Sequence, residues 1–302
     1  MEYSIYKLEF QTGVHFGTGM LNETDCIFQA DQLFSALFLE AKKMNLEEDF
    51  FHSVKKGHIL FSDGFPYIGE KYLIPKPMLY VEPLKRGESE QKKAYKKMKF
   101  LSVDQLEEFL KGTMNVLDNP MDGFGHFYQQ TMARVRSEKE TDPFRVGTFY
   151  YSPGCGLYVI VAYQQQKDKN LAEELLEALS YTGIGGKKSS GLGKFILKFG
   201  KMPDDYLLYL QRKSGRQMLL STALPMEQEL EMALEGAFYQ LIKRSGFVAS
   251  SEYDSEWKKK KDLYVFGAGS CFVNPFEGDI YDVSEGERHS VYRYAKALFM
   301  GV

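Results

Sequence analysis

The chain has 302 residues, of which 44% are hydrophobic and 26% are charged, and its formal net charge is −3. Such values are near the averages for globular proteins, so they argue against both intrinsic disorder and a membrane protein. A mildly acidic chain also lacks the uniformly basic surface of a nonspecific DNA binder, so we expect no DNA binding by the chain alone. No signal peptide and no apolar run of membrane-spanning length is found, so we expect a cytoplasmic protein with no membrane partner.

The first predicted elements follow the order strand, helix, strand. YSIYKLEF alternates between apolar and polar residues, which predicts a half-buried strand. After a loop, Asp31 is expected to cap a helix in which apolar residues recur at helical spacing. HILFSDGFPYIG then predicts a strand and a turn, and YLIPKPMLY predicts an extended segment.

Residues 85 to about 145 interrupt this regular pattern with an irregular stretch, and long irregular stretches inside a domain are usually functional. Regular patterning returns in TFYYS and LYVIVAY, which we expect to pair as a hairpin across the turn PGCG. The helix LAEELLEALSYTG follows, and the strand FILKF comes after a glycine-rich stretch.

Together these elements predict a ferredoxin-like β-α-β-β-α-β domain over residues 1–200, with an insertion at about 85–150. Both helices are expected on one face of an antiparallel sheet, with the other face left free. KMPDD marks a predicted boundary, and residues 201–302 are predicted to form a smaller α+β domain. The predicted fold class is therefore α+β with two domains.

Three cysteines, Cys26, Cys155 and Cys271, are far apart in the sequence and form no Cys-x-x-Cys pair. This predicts neither a disulfide framework nor a cysteine zinc site. Acidic pairs such as Asp204–Asp205 are interpreted as solvated surface rather than metal ligands. We therefore expect neither a metal nor a cofactor.

Basic residues cluster locally in two places despite the acidic net charge. One cluster runs from Lys85 to Lys99, and the other is the run of lysines from Lys258 to Lys261. The first cluster is either part of a face that grips a polyanion or a solvated surface. The second is either a further phosphate contact, through Lys260 and Lys261, or a charged entry to a hairpin.

The stretch GIGGKKSSGLGKF, residues 183 to 195, is the most unusual in the chain. Neither Gly-Lys pair fits a Walker A loop, because the first glycine and the Ser/Thr are missing at the required spacing. The dinucleotide pattern G-x-G-x-x-G also fails, and the stretch follows a helix where that pattern needs a strand. A loop of this kind brings backbone N–H groups, lysines and hydroxyls to a ligand, which favours contact with nucleic-acid phosphates over a flexible connection.

This stretch resembles the glycine-rich loop of the RAMP superfamily of CRISPR-associated RNA-binding proteins. Other motifs narrow the resemblance to the family that forms the fourth subunit of type III-A (Csm) effector complexes. These motifs are HFG at 15–17, ADQLFSAL at 30–37, IPKP at 74–77, STALP at 221–225, KRSGFV at 243–248, GAGSCF at 267–272 and the C-terminal HSVYRYAKAL.

The resemblance implies a non-catalytic subunit of an antiviral effector complex, with ferredoxin-like (RRM-like) folds in both domains. Its implied partners are the 5′ handle of crRNA, a large polymerase-like subunit and a backbone RAMP subunit. The 125–150 segment would be a thumb-like hairpin, in which Arg145 is a further candidate contact. The residues expected to contact RNA are His15, Phe16, Gly17, Arg134, Arg136, Gly183, Gly185, Gly186, Lys187, Lys188, Ser189, Ser190, Gly191, Lys260 and Lys261.

Two other functions stay open at this point. His15 lies on a loop, where it could act as the general base of a metal-independent ribonuclease that processes crRNA. The protein could instead be a structural adaptor whose basic patches bind acidic partner surfaces.

Overall fold

The computed structural model describes residues 1–82, 89–114, 120–137, 140–248, 259–285 and 289–302, with only the backbone described at 89–92 and 135–137. The α-helices, labelled α1 to α7 in chain order, are Ala30–Lys43, Glu47–Lys55, Ser89–Lys97, Leu106–Leu110, Gln166–Thr182, Asp204–Gln211 and Glu227–Leu234. The strands, labelled β1 to β16 in chain order, are Glu2–Phe10, Ile59–Phe61, Phe65–Ile68, Lys71–Pro75, Phe100–Ser102, Gly125–Ser137, Glu140–Tyr151, Cys155–Tyr163, Phe195–Gly200, Gln217–Leu219, Leu241–Arg244, Leu263–Phe266, Cys271–Phe272, Gly278–Asp282, Tyr292–Lys296 and Phe299–Gly301.

One antiparallel sheet organises the first 200 residues, and its strand order is β5-β4-β3-β8-β1-β9. The short strand β2 also pairs with β8, on the same side as β3, so that β2 and β3 lie end to end. Ser62 bridges the break between them, because its hydroxyl accepts the Ile160 N–H and its own N–H donates to the Ile160 carbonyl. The antiparallel α+β class predicted from the sequence is confirmed.

Helices α1 and α5 cover one face of this sheet. Leu37 of α1 and Leu176 of α5 are fully buried in the same core cluster as Leu157 and Val159 of β8. Apolar residues at helical spacing place the buried stripe of each helix on the sheet. The β1–α1 loop (residues 11–29) and the α5–β9 connection lie at the same end of the sheet, because β1 ends where β9 begins.

The other face of the sheet is covered as well, so the expectation that it is free is wrong. Tyr158 of β8 belongs to a second core cluster, which also holds Tyr206 of α6 and Met300 of β16. The hydroxyls of Tyr158 and Tyr206 are 3.0 Å apart, and the Tyr158 hydroxyl also donates to the Leu73 carbonyl. The C-terminal third of the chain therefore supplies the cover that the sequence pattern did not reveal.

Strand β7 pairs with β6, and not with β8. The predicted hairpin between TFYYS and LYVIVAY is therefore wrong, although both segments are strands. Strand β8 already has β1 on one side and β2 with β3 on the other, so no edge of it is left for β7. The 125–150 segment is instead a long β6–β7 hairpin that forms its own two-stranded sheet.

Asp31 does not cap α1, contrary to the sequence-based expectation. The N-cap is Gln29, whose N–H donates to the Gln32 side-chain oxygen at 3.0 Å. Asp31 lies inside the first turn, where its carboxylate accepts from Arg244 at 2.8 Å and from Arg293 at 2.6 Å. The residue that seemed a local cap therefore joins α1 to the C-terminal part of the chain.

Residues after position 200 share the large cores with residues before it. Tyr294 of β15 stacks on Phe34 of α1 at 5.7 Å, and its hydroxyl accepts the Phe61 N–H. The Asp63 carboxylate accepts the Thr222 N–H at 2.8 Å. The predicted domain boundary after residue 200 stays a prediction, and the two parts that it separates have a common core.

The described part of the chain has no membrane-spanning helix, disulfide or metal cluster. None of its helices is long and apolar enough to cross a membrane. The three cysteines are unpaired, with Cys155 and Cys271 buried and Cys26 partly buried. Among the described residues, no three His, Cys, Asp or Glu side chains are placed to share a metal ion.

Candidate nucleic-acid interface

The glycine-rich loop (Gly183–Gly193) connects α5 to β9 and is held against the β1–α1 loop. The Gly186 N–H donates to the His15 carbonyl at 2.8 Å, and the Gly193 N–H donates to the Gly13 carbonyl at 2.9 Å. Two segments with predicted RNA contacts, far apart in the sequence, therefore lie side by side.

Glycine is required at Gly193 and Gly185 for two reasons. Gly193 has φ +81°, and a Cβ there would lie 2.0 Å from the Ile184 carbonyl oxygen. Gly185 has φ +97°, and a Cβ there would lie 2.8 Å from the His15 carbonyl oxygen. Gly191 also has a positive φ, but its Cβ would meet no atom within 4 Å. Close backbone approach, and not only flexibility, explains the glycine content of the loop.

Lys187 directs its ammonium group onto the β6–β7 hairpin. Its Nζ lies 4.6 Å from the centroid of the Phe144 ring, within the range of a cation–π interaction. Its backbone is left-handed, with φ 59°, which is uncommon for a residue other than glycine. Phe144 is opposite Met132 in the hairpin. Arg134 is two residues after Met132 on β6, so the Arg134 side chain lies on the same face as Phe144. Lys187 and Arg134 therefore flank one face of the hairpin.

The glycine-rich loop also has hydroxyl and backbone N–H donors that have no acceptor among the described residues. Ser189 and Ser190 are exposed, and no hydrogen bond to either hydroxyl, or to the N–H groups of Lys187 and Lys188, is found in the described part. Burial lowers the pKa of the Lys188 ammonium, which the nearby Glu40 counteracts. Backbone N–H groups beside two lysines and two hydroxyls form a group of hydrogen-bond donors suited to a phosphate.

His15 is buried, with 7% of its surface exposed, and its Nδ1 lies 2.7 Å from the Gly147 carbonyl of β7. A carbonyl can only accept, so Nδ1 carries a proton and donates to Gly147. With its own carbonyl bound to Gly186, His15 connects the β1–α1 loop, the glycine-rich loop and the hairpin. Its predicted contact with RNA stays a prediction that would involve Nε2.

Phe16 and Gly17 differ sharply in exposure. The Phe16 ring is 2% exposed and packs edge-on against Phe28 at 5.4 Å. Its N–H and carbonyl are both bonded within the same loop. Stacking of this ring on a base would require it to leave the core, whereas Gly17 is exposed as it stands.

The hairpin arginines lie on two faces. Arg134 is exposed opposite Asp142, on the face that Lys187 contacts. Arg145 is exposed opposite Thr131, on the other face. The Arg136 side chain lies outside the described part of the chain. Of the predicted arginines with a described side chain, Arg134 is thus the one on the hairpin face that Lys187 contacts.

The lysines of the C-terminal part lie elsewhere. Lys260 is partly buried near Arg293 and Asp31, and burial lowers the pKa of its ammonium. Lys188 is instead near Glu40, which lies nine residues beyond Asp31 on α1, a separation of about 13.5 Å. Lys260 and its neighbour Lys261 are therefore not grouped with the glycine-rich loop.

Parts of both basic clusters lie outside the described residues. These are Lys258, and Lys85 and Arg86 of the first cluster, while the Lys92 side chain is also undescribed. Of the first cluster, the described Lys93, Lys96, Lys97 and Lys99 are exposed. Whether this cluster binds a polyanion stays a prediction.

Sequence reasoning missed Phe144 and Gly147. Phe144 supplies the ring below Lys187, and nothing in its local pattern distinguishes it from other strand aromatics. Gly147 has a readable signal, because an isolated glycine inside a strand often marks close backbone approach. A Cβ at Gly147 would lie 2.5 Å from the Asn22 carbonyl oxygen, and its carbonyl also accepts from His15.

Solved structures from type III CRISPR complexes share this fold. A chain of the Csm3–Csm4 subcomplex of the type III-A CRISPR-Cas interference complex aligns with a TM-score of 0.68 and 19% identity, covering 100% of this chain and 99% of that one. A chain of the Csm1–Csm4 cassette in complex with pppApA aligns with a TM-score of 0.62 and 19% identity, covering 100% and 98%. The architecture is thus that of a protein class found in these complexes.

Sequence comparison identifies the family. Residues 212–302 match the family model of the CRISPR Csm4 C-terminal domain. The Csm4 protein of Mycobacterium tuberculosis strain H37Rv is 38% identical over 305 residues, which cover 100% of this chain and 98% of the relative. Csm4 of Streptococcus thermophilus is 35% identical over 308 residues, covering 99% and 98%. The chain belongs to the Csm4 family, which confirms the resemblance found in its motifs.

Proposed function

We propose that the protein is the non-catalytic crRNA-binding subunit of a type III-A CRISPR effector complex and that it grips the crRNA 5′ handle. One observation carries this proposal: the glycine-rich loop, the β1–α1 loop and the β6–β7 hairpin meet at one end of the sheet. The meeting point groups lysines, hydroxyls and unpaired N–H groups, which suits the phosphates of a single strand.

The topology supports a ferredoxin-like N-terminal domain. Strands β9, β1, β8 and the β2–β3 pair lie in that spatial order, and the crossover helices α1 and α5 share one face. We extend the same description to residues 201–302 as part of the proposal. In this arrangement the β6–β7 hairpin is the thumb-like insertion between β5 and β8.

We further propose that the protein anchors two protein partners. Chains of similar fold come from a Csm3–Csm4 subcomplex and a Csm1–Csm4 cassette. By family membership, this chain would join its own counterparts of Csm3, the backbone subunit, and Csm1, the large polymerase-like subunit. Neither role requires a general base. The Nδ1 of His15, the candidate base, is hydrogen-bonded to the Gly147 carbonyl.

RNA binding and cleavage can be measured together on the full-length protein. Fluorescent repeat-containing RNA and a handle-scrambled RNA would be incubated in EDTA with wild type and with Lys187→Ala/Lys188→Ala. A matched control is Lys167→Ala/Lys201→Ala, which removes the same charge at the opposite end of the sheet, where both lysines are exposed. We expect at least tenfold weaker binding for the first variant, near wild-type binding for the control, and no cleavage.

The two alternative functions predict different results. Cleavage by wild type that disappears in His15→Asn, where the amide can replace Nδ1 as donor to Gly147, would replace our proposal with a ribonuclease. Binding that depends on neither the two lysines nor the handle sequence would favour a structural adaptor.

A further inference from the structure

A second concave feature lies on the hairpin, on the face opposite Phe144. It is a groove of about 370 Å³ between residues 18–24 of the β1–α1 loop and the start of the hairpin. Gly147 forms its base, because the Gly147 N–H donates to the Leu21 carbonyl at 2.9 Å and its missing side chain admits the Asn22 backbone. A volume of this size is within the range of small-ligand sites.

An aromatic ring is displayed at this groove. The Phe127 side chain is 63% exposed, so much of its ring is accessible to a ligand. The buried ring of Phe149 contacts Phe127 at 4.8 Å with an interplanar angle of 66°, which fixes the position of the exposed ring. A fixed ring with a free surface is a stacking platform that is ready before a ligand arrives.

The polar side chains that line the groove are the Asn22 and Gln129 amides, the Glu23 carboxylate, and the hydroxyls of Thr18, Thr24 and Tyr128. The Asn22 side chain has no hydrogen-bond partner among the described residues, and the Gln129 Nε2 reaches the Asn22 carbonyl at 3.5 Å. Glu23 also lines the groove, whereas no described lysine or arginine does. Amide groups beside an aromatic platform match the edge and the face of a nucleobase, and they do not match a phosphate.

We propose that this groove holds one unstacked base of the bound RNA, with Phe127 stacked on the base and Asn22 and Gln129 hydrogen-bonded to its edge. The inference rests on the proposed function, because the strand must first be held by the glycine-rich loop. Phe144 below Lys187 and Gly147 below the groove are three residues apart on β7, roughly 10 Å. The two sites lie on opposite faces of the hairpin, so a single strand that passes around the hairpin would contact both.

The proposal can be tested by combining a substitution of Phe127 with the removal of single bases from the RNA and measuring binding. Handle RNAs that each carry one abasic nucleotide would be titrated against full-length wild type and Phe127→Leu, which keeps apolar bulk on Phe149 but removes the π face. Phe199→Leu is the control, since that ring is 72% exposed on the edge strand β9. We expect Phe127→Leu to weaken binding of intact RNA by about 5- to 100-fold. One abasic position should cost wild type a similar factor and cost Phe127→Leu no more than about twofold.

Three other results would contradict the proposed base site, and they can be distinguished from one another. Unchanged RNA binding by Phe127→Leu, with the dependence on Lys187 and Lys188 intact, would overturn the base site and leave the phosphate clamp standing. Loss of binding to a Csm1 or Csm3 counterpart, with RNA binding intact, would assign Phe127 to a protein interface instead. Failure of wild type to bind any handle RNA would overturn the proposed function and the groove together.

Discussion

At the scale of single residues, glycines and lysines in the glycine-rich loop have separate tasks. The glycines allow the loop backbone to lie against His15 and Gly13, and the lysines then extend from a fixed base. Lys187 is held over Phe144 in an uncommon left-handed conformation. A non-glycine residue in this region stores strain, which is typical of functional sites.

Two alanine substitutions distinguish the stability cost of a steric clash from the cost of a positive φ. Gly193→Ala and Gly191→Ala both place a side chain at positive φ, but only the first meets a carbonyl oxygen, at 2.0 Å. We expect Gly191→Ala to lower the free energy of unfolding by about 1 kcal/mol and Gly193→Ala to lower it by more than about 2 kcal/mol. Urea denaturation measures both values, and equal losses would contradict the role of close approach.

The local sequence pattern was sufficient to single out the glycine-rich loop, but it did not show whether the residues beside that loop are buried or exposed. Lys187, Lys188 and the serines stand out in the sequence because glycine-rich polar segments rarely pack into a core. The burial of Phe16 and His15 could not be recognised in the same way, because His15 is covered by Gly147 and the Phe16 ring lies against Gly185, both more than a hundred residues away. Their HFG motif marked a loop that lies against the glycine-rich loop, but it did not show which atoms face outward.

At the scale of elements, the β6–β7 hairpin gains a third neighbour from the β1–α1 loop. Val14 and Phe149 exchange both backbone hydrogen bonds, and Gly147 uses its N–H and carbonyl outward toward Leu21 and His15. The base of the hairpin is therefore fixed on the core, whereas most of its described outer residues are exposed. Sequence reasoning found these strands but mispaired them, because alternation shows a strand without showing its partner.

Shortening the hairpin should separate stability from RNA binding. Residues 131–145 would be replaced by Asn-Gly, so that Gln130 and Val146 close a two-residue turn. The free energy of unfolding should change by less than about 1 kcal/mol, because Val146 is the outermost fully buried residue of the hairpin among those described. Handle-RNA affinity should fall at least tenfold, since Arg134 and the Phe144 contact are removed. Urea denaturation and fluorescence anisotropy measure the two effects, and unchanged affinity would contradict the role of the hairpin.

At the scale of the whole molecule, buried polar contacts join the C-terminal part to the sheet and to α1. Arg244 and Arg293 meet the Asp31 carboxylate, and Thr222 donates to Asp63. The sequence could not reveal these contacts, because their partners are separated by more than 150 residues. For the same reason the second sheet face appeared free, although Tyr206 of α6 is buried against it.

Asp63 should make stability depend on pH. Burial raises the pKa of this carboxyl from its ordinary 3.8 to about 7, even though the Ala30 and Thr222 N–H groups oppose the shift. The native state therefore binds more protons than the unfolded chain between pH 4 and pH 7, so stability falls as pH rises through this range. Asp63→Asn keeps an acceptor oxygen but cannot ionise. We expect its free energy of unfolding, relative to wild type, to increase by roughly 2–4 kcal/mol from pH 4 to pH 7. Urea denaturation at a series of pH values measures this difference, and parallel pH profiles for the two proteins would contradict the assignment.

The salt dependence of handle-RNA binding tests the phosphate clamp most directly. Each phosphate contact to a single strand contributes about 0.7 to the slope of log Kobs against log salt concentration. Lys187→Ala/Lys188→Ala should therefore lower the magnitude of that slope by about 1.4, while Lys167→Ala/Lys201→Ala should leave it unchanged. A slope equal to that of wild type in the first variant would show that these lysines do not hold RNA phosphates.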